Sequence, residues 1–196
     1  MDVTKIAIKL FAAGPAPELR EFVPIFHRWI QTHAVEDHLL VDVADYAHVV
    51  SGPGVVLVAC EANFYFDLTD NRPGLLYTRK TASPGTFAQR LQSAAIAALK
   101  AAVLLEKDSA LAGRLRFNTS ELLIRLNDRL LAPNTDATFA EAKPAIESLA
   151  GEIYGGNAFS LERPGSAQTL FEVLIKSSAA PATVSEILER LHVMSA

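Results

Sequence analysis

The chain has 196 residues, half of them hydrophobic, and 22 acidic against 18 basic side chains give a formal charge of −4. A chain this long buries enough apolar surface to fold without disulfides or a structural metal, and its scattered basic residues lack the concentrated positive face of a nucleic-acid binder, so no nucleic-acid partner is expected. The single cysteine, Cys60, excludes an internal disulfide framework and fits a reducing, cytoplasmic setting.

Residues 1–17 set a lysine ahead of an apolar run, as a secretory leader does, but Asp2 and Lys9 break the pattern and the run is short. Residues 5–12 alternate Ile6, Ile8 and Leu10 against Lys5, Ala7 and Lys9, the period-2 pattern of a half-buried strand. After the breaker at 14–17, Pro17 suits a first helical turn with Glu18 and Glu21 near the positive end of the dipole. Leu19, Phe22, Val23, Phe26 and Ile30 then recur at helical spacing to about His33. Residues 38–46 alternate again and predict a strand with Leu39, Val41 and Val43 inward and His38, Asp42 and Tyr46 outward.

A turn at 51–54 leads into 55–68, which reads as one long strand antiparallel to the last, and a turn at 69–74 leads into a short strand at 75–80. Residues 86–108, rich in alanine, leucine and glutamine, predict a long helix lying across a sheet. Its most apolar part, 94–105, falls short of the roughly 20 residues that span a bilayer, so no membrane association is expected.

Residues 121–128 read as a strand and 132–156 as a helix capped at Asp136 or Thr138 and stopped by glycine. A hairpin follows at 159–177, folded at 164–168, and then a last helix at 183–193, with Thr183 and Glu186 placed as a capping box. Pro24 and Pro144 each fall about two turns into a helix, where a kink is expected. The pattern makes two units of strand, helix, hairpin and helix, pseudo-halves at about 1–112 and 113–196 of a single domain. The expected class is α+β: a mixed or mainly antiparallel sheet of about seven strands with helices packed mainly on one face. With a mean hydropathy of +0.21, the other face should be apolar enough to need a lid or a partner, such as a second copy of the chain.

Residues 26–48 concentrate His27, His33, His38 and His48 with Glu36, Asp37, Asp42 and Asp45. Helical spacing puts His27 and His33 about 240° apart around the axis, and a strand would hold His38 and Asp42 some 13 Å apart. Neither pair chelates one ion, and no metal site is expected. His38 and Glu61 are the acid/base candidates. Glu61 and Asn63 interrupt an apolar run, as convergent polar groups do at ligand sites. Cys60, in the middle of the same run, reads as a small buried hydrophobe, and Trp29, beside the apolar stripe of its helix, reads as core. Arg72, Arg79 and Lys80, ahead of a helix start with Ser83 and Thr86, are the candidate anion-binding cations, although the hydroxyls also suit capping.

Hydrolase, metalloprotease, dithiol and nucleotide-loop signatures are missing, and no cofactor is expected. The functional expectation is a non-catalytic, homo-oligomeric module that binds a protein partner or a small anionic ligand. The alternative is an enzyme acting on a small anionic substrate, with Arg79 and Lys80 holding the anion and His38 or Glu61 moving a proton.

Overall fold

The computed structural model describes residues 1–49, 52–156, 158–178 and 182–193. In chain order these form β1 (Ile6–Phe11), α1 (Leu19–Thr32), β2 (Leu40–Asp45), β3 (Val55–Ala59), β4 (Ala62–Asp67), β5 (Gly74–Arg79), α2 (Phe87–Lys107), β6 (Glu121–Leu126), α3 (Asp136–Tyr154), β7 (Phe159–Glu162), β8 (Phe171–Ser177) and α4 (Val184–Val193). The strands make one open sheet in the order β2-β3-β4-β5-β1-β6-β8-β7, with every neighbouring pair antiparallel. The chain is therefore α+β, and among the described residues the sheet has eight strands with every pairing antiparallel.

The extra strand comes from 55–68, which is a hairpin and not one strand. Val55 pairs with Phe66 and Val58 with Asn63, so the chain reverses at Cys60 and Glu61. No glycine or proline marks the reversal. Neighbouring backbone holds it instead: the Cys60 N–H donates to the Leu39 carbonyl at 2.9 Å, and the Lys80 and Thr81 N–H groups donate to the Glu61 carbonyl at 2.9 and 3.3 Å. Cys60 is accordingly exposed and not buried.

The facing expected for β2 also changes. Its register against β3 shifts between Leu40 and Asp42, so Leu40 pairs with Ala59 and Val43 with Leu57, a bulge that sends residues three apart to one face. Leu40 is 8% exposed, while Leu39 and Val41 are 60% and 56% exposed. The turn expected at 51–54 begins at Ser51, outside the described residues.

Helix ends follow the sequence closely. The Thr86 hydroxyl accepts from the Gln89 N–H and the Gln89 side chain accepts from the Thr86 N–H, closing a capping box at the start of α2. Glu186 and Thr183 do the same at α4. For α3 the cap is Thr135, whose hydroxyl accepts from Thr138, and not Asp136 or Thr138 as expected. Gly155 stops that helix in the left-handed conformation at φ 62°. Both α1 and α3 continue through their prolines, and Pro24 and Pro144 stand on exposed turns, where a missing N–H leaves no buried acceptor unpaired.

All four helices share one hydrophobic cluster with the sheet face that carries Ile6, Ile8 and Leu10. Trp29 is part of it. Phe22 of α1 stacks on Phe66 with ring centroids 3.8 Å apart, an aromatic contact contributing about 0.5–1.5 kcal/mol beyond its buried area. The opposite face, expected to be apolar enough to need a lid or a partner, carries ion pairs among its apolar side chains. Lys9 is ion-paired with Asp67, Arg72 with Glu121 and Arg125 with Glu172, interspersed with Val56, Leu76 and Leu123. The charges of these three pairs satisfy one another within the face.

Candidate functional site

On the helix side, a cleft of 530 Å³ opens between the α1–β2 connection, the ends of β1 and β5, and one face of α2, with Leu188 of α4 closing part of the wall. Its existence follows from side-chain size. Ser93, Ala94 and Ala97 recur at helical spacing along the wall that α2 presents, so this stretch of helix offers little bulk to fill the space above β5. The β5 sequence GLLYTR alternates, which sends Leu75, Tyr77 and Arg79 to the helix side and Leu76 and Thr78 to the other. Tyr77 thus forms the floor, beside Phe64 of β4 and opposite Ile8 of β1, and Arg79 stands two residues further on.

His38 reaches this floor from the connection before β2. Val35 is buried and its carbonyl accepts from the His38 N–H at 3.2 Å, a tight turn that tucks the imidazole under the sheet edge. The ring lies edge-on to Phe64 and Tyr77, with centroids 5.2 and 5.6 Å away. Its Nε2 is 3.2 Å from the Tyr77 hydroxyl, and its buried Nδ1 has no hydrogen-bond partner. Burial pushes the imidazole pKa below its ordinary value, with help from the Arg79 charge, while Glu61 and Asp37 oppose the shift. Burial likewise raises the Tyr77 phenol above its ordinary value. Near neutral pH the pair is uncharged. An orphaned N–H costs more than an orphaned lone pair, so the imidazole proton sits on Nε2 and is donated to the Tyr77 oxygen. The Tyr77 O–H is then left to donate elsewhere.

The cations of the cleft are not equivalent. Lys100 is ion-paired with Asp37 at 3.1 Å. Arg90 is spent on backbone, donating to the carbonyls of Val3, Gly85 and Met1 at 3.1, 2.7 and 3.2 Å. Arg79 donates from Nε to the Thr81 carbonyl at 3.3 Å and its guanidinium also acts as a side-chain hydrogen-bond partner of Tyr77, while among the described residues no carboxylate pairs with it within 4.0 Å. Glu61 sits at the rim, where its carboxylate accepts from the Leu39 N–H at 3.0 Å. Burial works upward on that carboxyl, but the backbone hydrogen bonds and the charges of His38 and Arg79 outweigh it, leaving its pKa below the usual range.

Of the residues singled out in the sequence, His38 and Arg79 line the cleft and Glu61 stands beside it. Glu36, Asp37 and Ser83 also line it, and the remaining candidates lie elsewhere. Lys80 follows the end of β5 and is exposed. Arg72 lies on the opposite face, paired with Glu121 and stacked over the Phe11 ring at 3.6 Å. Asn63 is also on that face, donating to the Tyr65 hydroxyl at 2.8 Å. At the start of α2 the Thr86 and Gln89 N–H groups are taken up by the capping box, and Ser83 just ahead of it lines the cleft. Tyr77 and Lys100 were missed. Tyr77 was detectable, since it lies two residues before Arg79 in a strand and must share its face.

Among the described residues, no three His, Cys, Asp or Glu side chains converge as metal ligands, and no helix is long and apolar enough to cross a membrane. Comparison with protein-family models, with curated proteins and with solved structures finds no match.

Proposed function

We propose that the chain is a non-catalytic binding module whose seat is the cleft over Tyr77, and that it takes a small ligand with an anionic end. The observation that carries this reading is Arg79: a guanidinium with two terminal nitrogens unengaged by any carboxylate, at the edge of a largely apolar cavity and beside the Tyr77 O–H donor. Such a cavity, apolar with a few convergent polar groups, is the ordinary form of a small-molecule site. Thermal-shift screening against carboxylates and phosphate esters tests it. An anion that binds the native state raises the melting temperature, and the rise disappears in Arg79→Met and in Ser93→Trp, which places a ring in the cleft mouth. If no anion stabilises the protein, or both variants respond like the parent, the reading is wrong.

The enzyme alternative rests on the uncharged imidazole of His38 standing in the same cleft as Arg79, where it is equipped to accept a proton. Turnover of a bound anion that is lost in His38→Gln, with binding retained, would favour it over simple binding.

We also propose that the chain self-associates in a reducing, cytoplasmic setting. Leu39, Val41, Tyr46 and Val49 are exposed along the β2 edge, and the bulge there breaks the backbone ladder, so a second copy would dock through side chains. Light scattering decides this: Val41→Lys should halve the mass, and a monomeric parent at about 100 μM, roughly a hundred times the dissociation constant of a micromolar dimer, would end the idea. An internal repeat is proposed on topology: in each half a strand and a helix precede a meander whose last strand returns beside the first, β5 beside β1 and β8 beside β6.

A further inference from the structure

Resting on the binding reading above, we propose that the ligand of the cleft is a long-chain aliphatic monocarboxylate, its head held by Arg79 and the Tyr77 hydroxyl and its tail laid along α2. Three observations fix the class.

The first is charge. Asp37 is already neutralised by Lys100, Arg90 is committed to carbonyls, and Glu61 adds a carboxylate at the rim. Arg90 also meets Asp2 at 3.4 Å, which leaves Arg79 as the cation of the lining with no ion pair among the described residues. Because Glu36 lines the cleft and Glu61 feels the Arg79 charge, a monoanion meets less repulsion there than a phosphate dianion.

The second is geometry. With Nε engaged by the Thr81 carbonyl and the guanidinium held beside the Tyr77 hydroxyl, the terminal nitrogens of Arg79 meet no carboxylate and present a planar fork that matches the two oxygens of one. The Tyr77 O–H supplies a third donor. All three groups donate, so the head they complete is one that only accepts.

The third is shape. The α2 wall of the cleft runs from Arg90 to Leu104, which is about 21 Å of helix at 1.5 Å per residue. Spread over that length, 530 Å³ leaves a mean cross-section of about 25 Å². A cleft so much longer than it is wide suits an extended alkyl chain better than a compact ring. Away from the head, the aliphatic part of the wall is Ile6, Val35, Ile96, Ala97, Val103 and Leu188, interrupted by Glu36 and by the Lys100–Asp37 pair. It offers no aromatic platform for a stacked ring.

The test is calorimetric titration of the full chain with octanoate, decanoate and dodecanoate, against octan-1-ol, octyl phosphate and acetate. One carboxylate should bind per chain, about tenfold tighter for each two methylenes added, with octan-1-ol and octyl phosphate each at least tenfold weaker than octanoate and acetate undetectable. Arg79→Met should weaken octanoate about tenfold or more, and Tyr77→Phe about fivefold. Equal or tighter binding of octan-1-ol or octyl phosphate, no dependence on chain length, or no binding of any carboxylate each overturns the proposal. Ser93→Trp and Ala97→Phe, checked for fold by circular dichroism, separate the two levels of the argument. Binding of some other anion that both variants abolish would keep the cleft and discard the carboxylate, and carboxylate binding unaffected by either would discard the cleft itself.

Discussion

The Nε2 of His38 stands 3.2 Å from the Tyr77 hydroxyl, and its Nδ1 is buried without a partner, so the imidazole is held in a place suited to its neutral form. Arg79 of β5 and Lys100 of α2 disfavour a proton there, Glu61 of the β3–β4 turn and Asp37 of the connection favour one, and burial decides the balance downward. In the unfolded chain His38 takes up its proton near the ordinary value of 6.5, before the folded protein does. Stability contributed by the neutral ring is therefore complete well above pH 6.5 and lost as pH falls through that value toward the lower folded pKa. Urea unfolding at pH 7.5 and 5.5 should show a larger loss for the parent than for His38→Phe. An equal loss in both would place the pH dependence elsewhere.

The same linkage reaches the ligand. An anion seated at Arg79 and Tyr77 adds negative charge next to His38 and favours its protonated form, so binding should take up protons as pH falls toward 6. Titrations in two buffers of different ionisation enthalpy read this directly. The proton uptake should vanish in His38→Gln even where the affinity survives.

Across the sheet, Lys9 and Asp67 form an ion pair whose side chains are 2% and 3% exposed. Removing one partner leaves the other buried and uncompensated, so Lys9→Met should cost about 3–5 kcal/mol in urea unfolding. The double variant Lys9→Met with Asp67→Leu should recover most of that, because two apolar side chains avoid the desolvation that both charges incur. A double variant no better than the single would mean that the pair contributes net stability of its own.

Much of the scaffold was legible because local chemistry and tertiary structure agree: the apolar stripe of α1 and the Thr86 and Thr183 caps stand where the sequence puts them, and β1 forms where its alternation predicts, although it is buried on both faces and not half-buried. Two departures have one cause, backbone irregularity without a residue signature. The reversal at Cys60 and Glu61 uses no glycine or proline, and the β2 bulge turns Leu40 inward in place of Leu39 and Val41. The site was only half legible for a related reason. Arg72, Arg79 and Lys80 are close in sequence, but the turn at 69–74 and the end of β5 distribute them to different surfaces. His38 joined Arg79 only once the connection ahead of β2 had folded under the sheet.

Cys60 follows from the first of those departures. In a continuous strand it would be shielded, whereas in the turn it is exposed. Ellman's reagent should therefore titrate one thiol per chain under native conditions, at a rate close to that of a short peptide and little changed by urea. A thiol that reacts only after unfolding would contradict the hairpin and restore the single long strand.

Gly74 tests the sheet centre by a purely steric route. It lies in register between Phe11 of β1 and Asp67 of β4, and a methyl group built on it would come within 2.2 Å of the Leu10 carbonyl oxygen. The obstacle is backbone, which cannot swing aside as a long side chain can, so Gly74→Ala must push β1 and β5 apart. That separation would also strain the diagonal from Lys9 to Asp67, adding weakened pairing to the steric cost. The expected loss exceeds the roughly 1 kcal/mol typical of point substitutions. It should also be smaller when added to the Lys9→Met, Asp67→Leu background, because neighbouring sites that share a strained element do not add. Chemical denaturation of the four variants reads both the loss and the coupling, and simple additivity would show that the two features are independent.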